Sequence, residues 1–231
     1  MQRLLDILFS GIALIVLSPL LIPIVILLRL TGEGEIFFRQ NRVGRGGKMF
    51  GLLKFATMLK NSPNLGTGTV TVRGDPRVLP VGRFLRKTKI NELPQLINIF
   101  LGDMSIIGPR PQTQRCFDAF PKRSQDVIVA VRPGLSGIGS IVFRGEEEMM
   151  HAAKDPNRFY DQVIMPYKGT LEEWYVRHES VWLYLKLIVL TAWAVALPRS
   201  KAVWQAFPTL PSPPAELAEE VNWPGAAAHA V

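Results

Sequence analysis

From Ile7 to Leu28 the chain runs for 22 residues without a charge, and a straight helix of that length reaches about 33 Å, close to one bilayer hydrocarbon core. The pattern places this stretch against a membrane. A cleaved leader is the weaker reading, because the run is longer than a usual signal-peptide core and no small-residue cleavage site follows it. Ser18-Pro19 and Pro23 interrupt the run, and each proline removes an amide donor and crowds the preceding turn, so the helix is expected to bend. A bent helix either crosses the bilayer or turns back with both ends on one side, its freed backbone groups taken up by Ser18 or by neighbouring protein. Arg3 before it and Arg29, Arg39, Arg42, Arg45 and Lys48 after it fit two cytoplasmic ends, while the heavier C-terminal side also fits a single crossing with the N-terminus outside.

Beyond this segment the patterning becomes that of a folded α/β body. Glu35 to Gln40 reads as a strand, Gly44 to Lys48 as a tight basic turn, and Met49 to Met58 as an extended or partly helical piece carrying Lys54. The glycines and cations of the turn suit either a phosphate cradle or a solvated hairpin; the spacing is not that of a nucleotide-hydrolysing P-loop. Residues 61–72 have the composition of a mobile surface loop. Val81 to Lys89 alternates Arg83, Arg86, Lys87 and Lys89 with Phe84 and Leu85, the pattern of a basic amphipathic helix resting on anionic headgroups.

Leu93, Leu96, Ile97, Phe100 and Leu101 recur at helical spacing, with Asn91 expected as N-cap, Pro94 in the first turn and Gly102 as terminator. Glu92 stands at the start of that helix, where amides and the dipole favour negative charge and where a diphosphate with its divalent metal can bind. Asp103 follows, then Gly108-Pro109-Arg110-Pro111, in which two prolines stiffen the backbone around a guanidinium suited to bidentate phosphate binding. Arg132-Pro133-Gly134 is a second rigid turn beside a cation; a solvated surface turn is the plainer alternative for both. Glu146-Glu147-Glu148 reads as a solvated helix start, and His151 and His178 have no ligand-like spacing. Val181 to Leu197 is apolar but short and interrupted by Lys186, an interfacial helix rather than a second crossing.

Composition narrows the function classes. A net charge of +8 calls for an anionic partner, whether phosphates, acidic lipids or nucleic acid. No nucleic-acid-binding motif is present, so nucleic acid is set aside. The single cysteine, Cys116, excludes an internal disulfide framework and a multi-cysteine zinc site.

Taken in order, Ser18-Pro19, FRQNRVGRGGKMF (38–50), KFATM (54–58), NELPQLINIFLGDMSIIGPRP (91–111) and RPGLSG (132–137) resemble the monotopic bacterial phosphoglycosyl transferases, over about residues 1 to 197. The resemblance implies a compact membrane-associated α/β domain with interfacial amphipathic helices, behind an N-terminal re-entrant helix-break-helix hairpin that enters and leaves by one face at Ser18-Pro19. It divides the chain into a re-entrant membrane helix (1–30) and a transferase domain (31–198), while residues 199–231, which the family pattern does not explain, read by their Pro/Ala-rich composition as a flexible tail. The implied reaction moves a sugar-1-phosphate from a nucleotide-sugar, a UDP-sugar in the family, to polyprenyl phosphate at the cytoplasmic face of the bacterial inner membrane. It would be the first membrane step of glycoconjugate or exopolysaccharide biosynthesis, and a homodimer is admitted. Glu92 is then the ligand of Mg2+, and Glu92, Asn91, Lys54 and Asp103 form the catalytic set. Arg42, Arg77, Arg86, Arg110 and Arg132 are the candidate phosphate ligands.

One position departs from the family pattern. Asn91 stands where the family has a nucleophilic aspartate, and a neutral carboxamide is a far poorer nucleophile than a carboxylate. Three readings are open: Glu92 attacks instead, Asn91 orients the substrates for direct attack by the lipid phosphate, or the chain is a catalytically silent membrane scaffold. Retention of Glu92, Lys54, Asp103 and Arg110 favours an active enzyme.

Overall fold

The computed structural model describes residues 1–31, 33–62, 75–198 and 200–225, and is mixed α/β. The chain divides into two compact units, one built from residues 4–41 and 51–102, the other from residues 1–3, 42–50 and 103–231.

The first unit contains most of α1 (Gln2–Leu30), which remains helical through Pro19 and Pro23 and is long and apolar enough to cross a membrane. Pro19 has no N–H for the Ile15 carbonyl four residues back; the Ser18 hydroxyl donates to that carbonyl instead, at 2.7 Å. Toward its C-terminal end the helix acquires a packed face: Ile24 and Leu28 are buried with Phe55 and Leu85, with Leu21, Val25, Ile36, Val81 and Ile90 around them. Strand β1 (Phe37–Val43) pairs with β2 (Met49–Phe55). Helix α2 (Pro80–Lys87) buries Gly82 and Leu85 and exposes Arg83, Phe84 and Lys87, as its amphipathic sequence requires. Lys89 adopts a left-handed backbone (φ 59°) and turns the chain into a single 3-10 turn, Ile90–Glu92, before α3 (Gln95–Leu101). Gly102, at φ 102°, ends α3 as the sequence indicates. Asn91 is therefore not the N-cap of a long helix: it lies inside the 3-10 turn, and Pro94 occupies the position before α3.

The second unit is centred on a short parallel pair, β3 (Ser105–Ile107) and β4 (Gly134–Ser136), in register Ser105 to Gly134 and Ile107 to Ser136. Helices α4 (Gln114–Asp118), α5 (Lys122–Ile128), α6 (Ile138–Val142) and α7 (Glu146–Ala152) follow in turn. Next, α8 (Pro156–Phe159) leads through a π turn, Tyr160–Ile164, into α9 (Met165–Arg177). Helix α9 packs on α5 and α6 and carries much of the core, with Met165, Leu171 and Tyr175 buried. Ser180 caps α10 (Val181–Ala196) by accepting from the Leu183 amide at 3.1 Å. One side of α10 buries Leu183, Tyr184 and Leu187 while Trp182, Val189, Trp193 and Val195 are exposed.

Two expectations meet a different or partial outcome. Residues 63–72 of the surface loop lie outside the described residues. The tail is structured in its described part: α11 (Ala202–Ala206) buries Trp204, α12 (Ala215–Ala218) buries Leu217, and Phe207, Leu210 and Val221 are buried in the segments beside them. Tyr167 donates to the Pro211 carbonyl at 2.8 Å, Trp204 donates to the Val221 carbonyl at 3.1 Å, and the Phe207 ring lies 5.4 Å from that of Trp174.

Candidate functional site

In the first unit, Lys54 is half-buried on β2, and α3 holds that strand. Asn98, fully inside, accepts from the Leu53 amide at 2.9 Å and donates to the Gly51 carbonyl at 3.0 Å, acting as a neighbouring strand would. Asn91 is buried, and its Oδ1 has no hydrogen-bond partner; one turn on, the buried Nε2 of Gln95 has none either. Between them in sequence, Glu92 is only half-buried. This turn thus presents an accessible carboxylate flanked by two carboxamides with unmet bonding capacity, a combination that water, a substrate or a hydrated cation satisfies.

Arg86 is half-buried, with Nη1 3.6 Å from the Met58 sulfur. Arg77 departs from its expected role as a phosphate ligand. Its guanidinium is buried and binds Asp75 bidentately, at 2.9 and 2.6 Å, and donates to the Ser62 carbonyl at 2.7 Å. An arginine so engaged anchors the backbone before α2.

In the second unit, Arg42 donates to the Pro111 carbonyl at 3.2 Å, and the Val43 amide donates to the Gln112 carbonyl at 2.9 Å. The 44–48 turn is tied down the same way: Gly46 N–H donates to the Val129 carbonyl at 2.7 Å and Arg45 Nε to the Ala130 carbonyl at 3.1 Å. Its amides are thus partly engaged by protein, which favours the structural hairpin over the cradle. Arg110 and Arg132 are half-buried and Asp103 is exposed. Their two turns meet main chain to main chain: Gly134 N–H donates to the Pro109 carbonyl at 2.8 Å, and Gly108 N–H to the Ser136 carbonyl at 2.9 Å. A Cβ on Gly134 would overlap the Gly108 backbone, so glycine is required there by space.

The candidate residues thus fall into two groups, Lys54, Arg77, Arg86, Asn91 and Glu92 in one unit and Arg42, Asp103, Arg110 and Arg132 in the other. Among the described residues no three His, Cys, Asp or Glu side chains cluster as a metal site. For Mg2+ the fit is limited to oxygen donors, the Glu92 carboxylate and the Asn91 Oδ1, and this ion commonly takes one or two protein oxygens with substrate phosphates and water.

Sequence reading missed a buried ionic group on α9. Glu172 is 1% exposed and Lys168, one turn earlier, 2%. Lys168 Nζ binds Glu146 at 2.5 Å and lies 5.5 Å from the centre of the Phe143 ring. Glu146 is therefore half-buried and paired, not a solvated helix start. Burial pushes the Glu172 carboxyl up to about 8, against the opposing pull of Lys168 and of the Arg110 amide. The spacing Lys168, Glu172 was visible, but such i,i+4 pairs usually lie on solvated faces.

A family model described as bacterial sugar transferase matches residues 1–198. The chain is 41% identical over 143 residues to a UDP-N-acetylgalactosamine-undecaprenyl-phosphate N-acetylgalactosaminephosphotransferase of Aeromonas hydrophila, covering 61% of this chain and 34% of the relative. It is 34% identical over 195 residues to a UDP-glucose:undecaprenyl-phosphate glucose-1-phosphate transferase of Klebsiella pneumoniae, covering 82% of this chain and 39% of the relative. A protein of that same name from Caulobacter vibrioides is 32% identical over 195 residues, covering 82% of this chain and 67% of the relative. The chain thus spans little more than a third of the length of the first two relatives.

Proposed function

Since this chain belongs to the bacterial sugar transferase family, we propose that it transfers a sugar-1-phosphate from a UDP-sugar to undecaprenyl phosphate, giving undecaprenyl-diphosphate-sugar and UMP. The names of its relatives support both substrates. The observation that carries the reading to this chain's own residues is the Ile90–Glu92 turn, where half-buried Glu92 stands between the unpartnered Asn91 Oδ1 and Gln95 Nε2. Mg2+, held there by Glu92 with Asn91 Oδ1, would neutralise charge on the diphosphate. Lys54, in the same unit, would supply a point charge there, and in the other unit Arg110 and Arg132 are candidate phosphate ligands as planar, permanently charged donors. The work takes place at the cytoplasmic face of the inner membrane. There α1 is re-entrant, bent at Ser18-Pro19, while α2 and α10 lie in the interface; the exposed Phe84 beside cations and the exposed Trp182 and Trp193 support this placement.

Two routes reach these products. In one, an oxygen of undecaprenyl phosphate attacks the sugar-bearing phosphorus directly and UMP leaves. In the other, the Glu92 carboxylate attacks that phosphorus, UMP leaves, and the lipid phosphate then displaces the carboxylate from the acyl-phosphate. Asn91, a weak nucleophile, orients the diphosphate in either. A second reading, a silent substrate-binding homologue, is favoured by Asn91 alone.

The test is a panel of UDP-sugars with undecaprenyl phosphate and Mg2+ in nanodiscs, for the native chain, Glu92→Gln and Asn91→Asp. Turnover to UMP and lipid-linked sugar by the native chain is expected, with a loss of at least about a hundredfold in Glu92→Gln. Turnover by Asn91→Asp alone would establish the silent reading. A phosphosugar adduct on Glu92 from UDP-sugar without lipid would select the covalent route.

A further inference from the structure

Three buried carboxamides, Asn91, Gln95 and Asn98, follow one another along the segment that leads into and through α3. Leu93 and Pro94 both have right-handed helical backbone angles, so the Ile90–Glu92 turn runs on into α3. Residues spaced three and four apart then share one stripe, with Glu92 at its border. Both ends of the stripe are pinned to β2: Asn98 bonds the Leu53 amide and the Gly51 carbonyl, and Ile90 packs against the cluster that contains Phe55. The stripe therefore runs beside the stretch of β2 that bears Lys54. Asn98 finds its partners within the protein, whereas Gln95, 3% exposed, leaves Nε2 without one and Asn91 leaves Oδ1. A buried donor in that state costs stability, and a leucine of similar size would pack there without the cost.

We propose that Gln95 is a substrate-binding residue whose side-chain amide donates to a phosphate oxygen held beside Glu92 and Lys54. The proposal rests on the function given above and assigns that site a neutral donor. The chemistry of the unmet atom narrows its ligand. An amide NH2 only donates, so it binds no cation, and it carries no charge that would pair with Glu92 and close off the carboxylate. Its match is an acceptor oxygen, and an ionised phosphate is the strongest acceptor that either substrate brings. That oxygen belongs to the diphosphate of the nucleotide-sugar or to the phosphate of the lipid carrier.

The experiment measures UDP binding, undecaprenyl phosphate binding and thermal unfolding in detergent for the native chain, Gln95→Leu and Gln95→Glu. Gln95→Leu is expected to weaken one of the two ligands about tenfold, which identifies the source of the oxygen, while unfolding at or above the native temperature. Gln95→Glu keeps the shape but replaces the donor with an acceptor of the ligand's own charge, so its loss on that same ligand should be larger. If the branched leucine prevents folding, Gln95→Met, which keeps the unbranched length, takes its place with the same expectation. Native affinity for both ligands in the folded variants overturns the proposal and leaves the proposed function standing; it is the result if a trapped water serves the amide. An unfolding temperature several degrees below native in Gln95→Met also overturns it, because the amide would then serve the fold. A native chain that binds neither ligand counts against the proposed function and the role of Gln95 together.

Discussion

At the scale of single residues, the informative side chains are those whose neighbours oblige them to an unusual state. Glu172 is the clearest, because its carboxyl faces Lys168 from its own helix, the Arg110 amide from the turn, and Glu146 only through Lys168. A carboxyl raised to about 8 in the folded chain, from an ordinary 4.5, binds its proton more tightly folded than unfolded. Its effect on stability is therefore harmless below about pH 4.5 and grows steadily unfavourable as pH rises toward 8. Thermal unfolding of the native chain and Glu172→Gln between pH 5 and 8 should show the native chain losing ground to the variant as pH increases; parallel curves would refute a raised carboxyl. Arg77 carries the opposite lesson. Two residues from Asp75, it reads in sequence as one more phosphate ligand in a basic stretch, yet a local acid of matching geometry captured it.

Among the elements, α1 was the most legible, since its length, apolarity and prolines are all local properties. Less so was how the helix tolerates them: the Ser18 hydroxyl on the Ile15 carbonyl removes the unmet acceptor that Pro19 creates. If α1 enters and leaves by one face, thiol probes should label Leu4→Cys and Glu33→Cys from the cytoplasmic side alone, in a background where Cys116 is replaced by serine. Labelling of the two positions from opposite sides would mean a crossing. The 91–102 stretch shows where local reading ends. Helical spacing and Gly102 gave α3 its end, but its start was set by the left-handed Lys89 backbone, which sequence propensity disfavours and which turns Asn91 from a cap into a buried group. Asn98 was equally hidden: its place in the helical repeat says nothing of the β2 backbone it satisfies.

For the molecule as a whole, the ordered set of motifs fixed the family, and the family model stops at residue 198. The segment beyond residue 198 reads as a flexible tail because prolines and alanines dominate its composition, while Trp204, Phe207, Leu210, Leu217 and Val221, spread thinly among them, supply the burial. Ending the chain at residue 198 removes the partners of Tyr167 and Trp174, and should lower the unfolding temperature by several degrees, at about 2–4 °C per kcal/mol for a chain of this size. An unchanged melting temperature in detergent would reduce the tail to an appendage. The approach of Gly134 to Gly108 has a consequence for recombining this family. Residues 105–111 and 132–137 are one heritable unit in space though two in sequence, so chimaeras exchanging sugar preference between relatives must carry both segments from the same parent.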